Sequence, residues 1–331
     1  MTLTINTNIS SIITQRNLNN ATNSLNQSIE RMTTGYKINH AKDNAAGYSI
    51  SNMWNTQLGS LDVAADNAAT GSDLLTTAEQ TYSLLTEHLQ RIRDLTEQAA
   101  NGTYGSSSLK AIQSEVVARL QEISRIAANS EFNGIKLMSY TQDGDGTGIT
   151  KEGINLQVGL YADDNSVINL DVSLFKDASV KGLFNKTMTG MDKIEDSLKA
   201  ANNNTAPDLK TDDGLEIFAA ACSGLQKKGD KFILQDDKDN QANKMLAYLD
   251  EAINEISRRT TAIGAAQNRV DSAISAIDVQ SQNLTSSLST LRDTDVAEES
   301  SNYIQAQILQ QASATLLATA NQTPSIALNL I

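Results

Sequence analysis

Proline is almost missing from this chain. Pro207 and Pro324 are its only two, so residues 1–206 hold none. An interior proline removes a backbone donor and clashes with the preceding turn, at ~3 kcal/mol, so its absence permits long unbroken helices. A single cysteine, Cys222, excludes an intramolecular disulfide, and its ordinary reading is a buried, inert thiol. Aromatic residues make up only 4% of the chain, which predicts thin aliphatic cores and elongated bundles rather than one large globule. Positive charge is also scarce: 26 Lys and Arg stand against 39 Asp and Glu, a net charge of -13. Such a chain lacks the clustered cations that phosphates demand, so no nucleic-acid partner is expected. No run approaches the ~20 apolar residues of a membrane helix, so no membrane insertion is expected. The opening MTLTINTNIS has neither the basic segment nor the apolar core of a secretory signal, and composition by itself points to the cytoplasm.

The residues of catalysis are equally sparse. His40 and His88 lie far apart, and neither sits in an H-E-x-x-H spacing. The run from Asp143 to Gly148 (DGDGTG) resembles the start of a calcium loop. The acid required at its twelfth position falls on Ile154, so a glycine-rich turn is the better reading. No phosphate-cradling glycine loop and no nucleophile elbow occur. The sequence therefore predicts no enzyme, no catalytic residue, no metal site and no cofactor.

What is present is helical periodicity at both ends. Leu249, Ile256, Ile263, Val270, Ile277, Leu284 and Leu291 recur every seven residues. Leu61, Ala68, Leu75, Tyr82 and Leu89 keep the same period near the other end. Stripes this long and narrow are coiled-coil seams, and each needs an apolar partner. The two are expected to bury each other, with Leu75, Tyr82, Leu89, Ile256, Ile263, Val270, Ile277 and Leu284 as the bundle seam.

The spacing predicts helices over about Ile5–Met32, Ala45–Ala100, Ser107–Ala128, Gln241–Leu291 and Ala297–Ala320. Ser108 is a candidate cap of the third, and Phe132-Asn133-Gly134 its stop. Leu18, Leu25, Ile29 and Met32 mark the first helix, and Ile304, Ile308, Leu316 and Leu317 the last. Their polar faces carry Asn, Gln, Ser and Thr, which can be buried against copies of themselves without stranding ions. These eight residues are the candidate polymerisation and inner coiled-coil positions. Between the helical ends the period drops to two. Ile154, Leu156, Val158 and Leu160, then Ile168, Leu170 and Val172, alternate with polar residues and predict a β-hairpin. From about Lys181 to Asn240 the pattern loosens, with a short helix over about Leu215–Leu225.

Several long, ordered stretches then carry a resemblance. INTNISSIITQRNLNNATNSLNQSIERMTTGYKINHAKDNAAGYSIS, LQRIRDLTEQAANGTY, SEFNGIKL and LQVGLYADD are similar to the N-terminal part of bacterial flagellin. GAAQNRVDSAI, AQILQQASATLLATANQ and the closing SIALNLI are similar to its C-terminal part. The resemblance implies a filament subunit, mainly α. Residues 1–44 and 292–331 form an inner terminal-helix coiled coil. Residues 45–180 and 241–291 form a long-helix bundle with the β-hairpin. Residues 181–240 form a small variable, solvent-facing insert, α+β or irregular. It further implies export in an unfolded state through the flagellar type III apparatus, without a cleaved signal peptide, to the extracellular flagellum, where identical subunits self-assemble for motility. Expected partners are further copies of the chain, an export chaperone, hook-associated and cap proteins, and the vertebrate flagellin-sensing Toll-like receptor. Arg91, Leu95, Glu115 and Arg119 match the receptor-facing positions. Leu328, Leu330 and Ile331 match the apolar tail sensed by cytosolic innate receptors. Ordering the chain ends opposes burial of their stripes, so these helices are expected to gain order on assembly. A hook–filament junction protein or another coiled-coil structural protein is the alternative.

Overall fold

The computed structural model describes residues 8–138, 153–161, 163–184, 209, 211–228, 231–234 and 241–328. The 143–148 run, most of 185–210, and Leu330 and Ile331 lie outside the described residues. The chain forms two compact units, Met1–Leu61 with Val279–Ile331 and Asp62–Asp278. The dividing lines fall inside the two longest helices rather than in connectors.

The first unit is built on an antiparallel pair, α1 (Ile9–Thr34) and, at the far end of the chain, α7 (Val296–Leu328). Asn8 caps α1: its Oδ1 accepts from the Ser11 backbone N–H at 3.0 Å, while its Nδ2 donates to the Ala320 carbonyl at 2.7 Å. Gly35 ends α1 at φ 76, and its N–H returns to the Arg31 carbonyl. That left-handed conformation is natural to glycine and closes the helix. Asp295 starts α7 by accepting from the Ala297 and Glu298 N–H groups, and Glu298 and Glu299 complement the positive helix end. The helix runs from Val296 through Pro324 to Leu328, longer than the apolar spacing indicated.

The connectors after α1 and before α7 are laced together. Tyr36 and Asp293 form an antiparallel bridge, flanked by Lys37 N–H to the Arg292 carbonyl at 2.7 Å and Thr294 N–H to the Gly35 carbonyl at 2.9 Å. The Arg292 guanidinium lies 4.1 Å from the centre of the Tyr36 ring. Further along, the Asp43 carboxylate accepts from the Asn39 and His40 N–H groups. The backbone bond from His40 holds its pKa below the ordinary carboxylate value, against a smaller opposing effect of desolvation. Asn44 then caps the next helix, α2 (Ala45–Ala100), through the Gly47 N–H.

The second unit is a helix bundle. Its main helices are α2 (Ala45–Ala100), α3 (Ser106–Asn129) and α6 (Gln241–Arg292), with the short α4 (Val180–Phe184) and α5 (Asp212–Cys222) beside them. Gln267 donates to Glu79 and Arg93 to Asp250, so α2 and α6 run antiparallel. Leu75, Tyr82, Leu85, Leu89 and Ile92 on α2 and Leu249, Ile256, Ile263 and Val270 on α6 are all fully buried. Each large aliphatic sealed this way contributes ~1.5–3 kcal/mol. Val116, Leu120 and Ile123 of α3 complete the core. Tyr82 keeps its hydroxyl paired by donating to the Leu174 carbonyl at 2.8 Å. Burial, only partly countered by Arg259, pushes its pKa up.

Among the described residues, three two-stranded antiparallel sheets decorate the bundle: β1 (Glu131–Phe132) with β2 (Ile135–Lys136), β3 (Ile154–Gln157) with β4 (Val167–Leu170), and β5 (Leu225–Lys228) with β6 (Lys231–Leu234). The β3–β4 pair is the hairpin that the alternation predicts, with Leu156 opposite Ile168. It sits on α2 at Gly71, where an added Cβ would lie 2.3 Å from a Leu156 methyl. Three local expectations are corrected. Helix α3 begins at Ser106 behind Gly105, which makes no side-chain cap bond, so Ser108 lies within the first turn. Asn133 and Gly134 form the β1–β2 turn instead of the helix stop, with φ 49 and 81 suited to a tight hairpin. Helix α5 starts at Asp212, because the Thr211 hydroxyl caps it through the Gly214 N–H.

Candidate functional site

The terminal pair shows which residues face inward. The buried and half-buried positions of α1 include Thr14, Leu18, Ala21, Leu25 and Ser28, and those of α7 include Glu299, Tyr303, Ala306, Gln310, Ser313, Leu317 and Ala320. Both series step by alternating threes and fours, the coiled-coil repeat. Five of them are buried, and four of these are small, Ala21, Ser28, Ala306 and Ser313, with Glu299 the fifth. Small side chains let the backbones approach closely, and polar groups then bond across the seam. Gln310 donates to the Thr22 hydroxyl at 3.2 Å, and Ser11 to Asn321 at 2.7 Å. Arg31 lies 3.6 Å from Glu299, whose side chain is only 6% exposed.

This arrangement divides the eight candidate polymerisation residues. Leu18, Leu25 and Leu317 occupy half-buried seam positions. Ile29, Met32, Ile304, Ile308 and Leu316 stay exposed, the last three at 53–59%. Geometry explains the split. Ile304, Ile308, Ala312 and Leu316 step by four, and each such step advances about 40° around a helix. Their ladder therefore winds off the seam, and one partner helix cannot cover it. Ile9, Ile12, Ile13 and Leu309, missed by the apolar spacing, are exposed as well. Ser28, Ala306 and Ser313 were also missed, although Ser28 recurs with Thr14 and Ala21 every seven residues, and Ala306 and Ser313 with Glu299 and Ala320. The pair thus presents an outward apolar surface. An open groove of about 660 Å3 runs along it, lined by Asn17, Asn20 and Gln27 of α1 and by Asn302, Gln305, Leu309 and Leu316 of α7.

The second candidate site lies where α2 meets α3. Arg91 Nε donates to Glu115 Oε1 at 3.1 Å, and Arg119 Nε reaches the same oxygen at 3.4 Å. Arg119 also contacts His88 Nδ1 at 3.4 Å. The side chains are 31–49% exposed, so this is a solvated ion cluster worth ~0.2–1 kcal/mol per pair. Leu95 does not share that surface: it is 3% exposed, inside the bundle.

Of the intrasubunit seam, Leu75, Tyr82, Leu89, Ile256, Ile263, Val270 and Ile277 are buried and Leu284 is half-buried. Cys222 is fully buried. Desolvation, slightly offset by Thr96, pushes its thiol up to about 12, so it is neutral and unreactive near neutral pH. Of the C-terminal tail, the Leu328 backbone ends α7, while Leu330 and Ile331 lie outside the described residues. Among the described residues no group of three His, Cys, Asp or Glu could hold a metal ion, and no helix is long and apolar enough to cross a membrane.

Residues 5–143 match the bacterial flagellin N-terminal helical region, and residues 246–331 match the bacterial flagellin C-terminal helical region. The chain belongs to the bacterial flagellin family. Relatives agree along the whole length of both chains: polar flagellin A of Vibrio parahaemolyticus at 35% identity, flagellin B of Vibrio cholerae at 33% and flagellin C of Vibrio anguillarum at 32%. A crystal structure of Bacillus cereus flagellin aligns with 67% of this chain and 94% of its own, at 20% identity and a TM-score of 0.40. As a flagellin, the chain is a structural subunit of the extracellular flagellar filament, formed by self-assembly, and not an enzyme.

Proposed function

We propose that the α1–α7 pair is the element through which neighbouring subunits of the filament grip one another. The observation that carries this reading is the outward apolar surface of that pair. Ile12, Ile29, Ile304, Ile308 and Leu316 stay 44–59% exposed although the two helices already cover each other. Exposed aliphatics in such number are costly in water and mark an association surface. Head-to-tail repetition of a contact that does not close yields a helical polymer. An export chaperone would shield the terminal surface before assembly, and hook-associated and cap proteins would meet it at the filament's ends. With no disulfide and thin aliphatic cores, the chain suits export in an unfolded state. Seeded polymerisation followed by negative-stain microscopy tests the assembly role. The full chain elongates seeds, and a chain lacking residues 296–331 fails to do so. Normal elongation by the shortened chain refutes the assignment.

The Arg91–Glu115–Arg119 cluster is proposed as the contact for the vertebrate flagellin-sensing Toll-like receptor, with Leu95 positioning it from beneath. Three of these residues share one ion-pair cluster on an exposed face, which supports a common role. The pair variant Arg91→Ala with Glu115→Ala should weaken receptor binding while leaving the melting temperature nearly unchanged. Unchanged affinity in that variant overturns the proposal.

A further inference from the structure

We propose that Asn101 is a spontaneous deamidation site, and that the fold shields the chain's other Asn-Gly step. The sequence holds two such steps, Asn101-Gly102 and Asn133-Gly134. A glycine after asparagine leaves the following backbone nitrogen unhindered, because no Cβ stands beside it. That nitrogen attacks the side-chain Cγ. A ring N–Cγ bond forms, the Cγ–Nδ2 bond breaks, and the departing amide takes a proton and leaves as ammonia. Water then opens the succinimide at either carbonyl, giving aspartate or isoaspartate. The net change is amide plus water to carboxylic acid plus ammonia, and no oxidant or reductant is needed.

Both asparagines are exposed, so access to water does not distinguish them. Backbone restraint does. Asn133 sits at φ 49 and Gly134 at φ 81 in a two-residue hairpin turn. The turn is clamped by pairing of Phe132 with Ile135 and of Glu131 with Lys136. A 2.8 Å ion pair between Glu131 and Lys136 reinforces it, as does the Leu137 N–H to the Ser130 carbonyl at 3.0 Å. Swinging the Gly134 nitrogen onto Cγ requires that clamp to open. Asn101 lies just past the end of α2 and is held loosely. Its N–H reaches the Gln98 carbonyl at 3.3 Å, its carbonyl receives the Tyr104 N–H at 3.5 Å, and its side chain receives the Thr103 N–H at 3.3 Å. All three bonds are at or beyond the long end of the ordinary range, and such segments open at low free-energy cost.

The product has a structural effect. A carboxylate at position 101 faces the negative end of the α2 helix, and the last turn of α2 carries no basic residue to offset it. Isoaspartate additionally lengthens the α2–α3 connector by one backbone carbon. Both changes loosen that junction.

The test uses the full chain, folded, held warm at mildly alkaline pH and digested at intervals. Peptide mass gives amide loss at each site, and methyl labelling by an isoaspartyl methyltransferase gives isoaspartate. Asn101 is expected to convert about tenfold or more faster than Asn133 in the folded chain. In strong urea the two rates should converge, and Gly102→Ala should slow Asn101 while leaving Asn133 unchanged. Equal or faster conversion at Asn133 in the folded chain overturns the proposal. So does a rate difference that persists in urea, or an inert Asn101 under conditions that convert a free Asn-Gly peptide.

Discussion

Replacing Ile308 by alanine separates the two kinds of apolar residue that the terminal helices carry. Ile308 is 59% exposed in the chain, so truncating it removes little that the subunit uses. Surface changes of this kind stay within about 0.5 kcal/mol of the parent in denaturant unfolding. The filament should respond differently. Full burial of an isoleucine side chain is worth ~1.5–3 kcal/mol, and rather more than half of that burial is left for a neighbour to complete. The variant should therefore lose about 1–2 kcal/mol per subunit of assembly free energy. That raises the critical concentration for seeded polymerisation about 5–30-fold. Ile256→Ala supplies the contrast: its side chain is fully buried inside the bundle, and removing it should cost the subunit itself ~2–5 kcal/mol. The assays are sedimentation of polymer at graded concentrations and urea unfolding of the depolymerised chain. An unchanged critical concentration for Ile308→Ala, or a loss of subunit stability matching that of Ile256→Ala, refutes the argument.

Other consequences can be checked directly. Ala306→Leu inserts bulk into the close α1–α7 seam, where position 306 is 5% exposed, and overpacking should cost about 1–3 kcal/mol. Faster amide exchange across residues 9–34 and 296–322 reports it; unchanged exchange contradicts a small-residue seam. Arg259 is 6% exposed and donates to the Lys176 and Asp177 carbonyls and to Glu255. Arg259→Met strands these acceptors, at about 3 kcal/mol, so the bundle should melt about 6–12 °C lower. Lysine at 259 should not restore it, for want of the guanidinium fork. Cys222 gives a pH signature. Its folded pKa is raised to about 12, so its contribution is fully present below the unfolded thiol value of ~8.5 and is lost as pH rises from there toward about 12. Cys222→Ala should abolish that component of alkaline destabilisation, and an aromatic disulfide reagent should modify the native thiol only as fast as the bundle opens.

The sequence was most informative where burial is driven by large side chains. The ladder from Leu249 to Val270 is apolar at every step, and those residues are the ones sealed in the bundle. The same reasoning was weakest at the chain ends. There Ala21, Ser28, Ala306 and Ser313 make the contact, and hydrophobicity does not distinguish such residues from a solvated face. The large residues beside them, Ile304 and Ile308, are conspicuous in the sequence because they remain uncovered. The Arg91–Glu115–Arg119 cluster was reachable only through family likeness, since charges on two helices 24 residues apart leave no periodic trace. Leu95, picked out in the same way, belongs to the packing beneath. The β1–β2 hairpin was missed because two-residue strands are too short for alternation to register, and β5–β6 because its strands, LQKK and KFIL, do not alternate apolar with polar residues.

The laced connectors, finally, bear on when the subunit becomes competent. Tyr36 pairs with Asp293, and Asn8 bonds to Ala320, so the first helix finds its partner only in the last stretch of the chain. Synthesis proceeds from the N-terminus, and closing so large a loop must await the end of translation. Until then the first helix has no mate. A stalled or truncated product cannot complete the terminal pair, and a growing polymer built on that pair would have no use for it. If subunits grip one another through that pair, as proposed, placing its two halves far apart in the sequence makes addition to the polymer conditional on synthesis having reached the second.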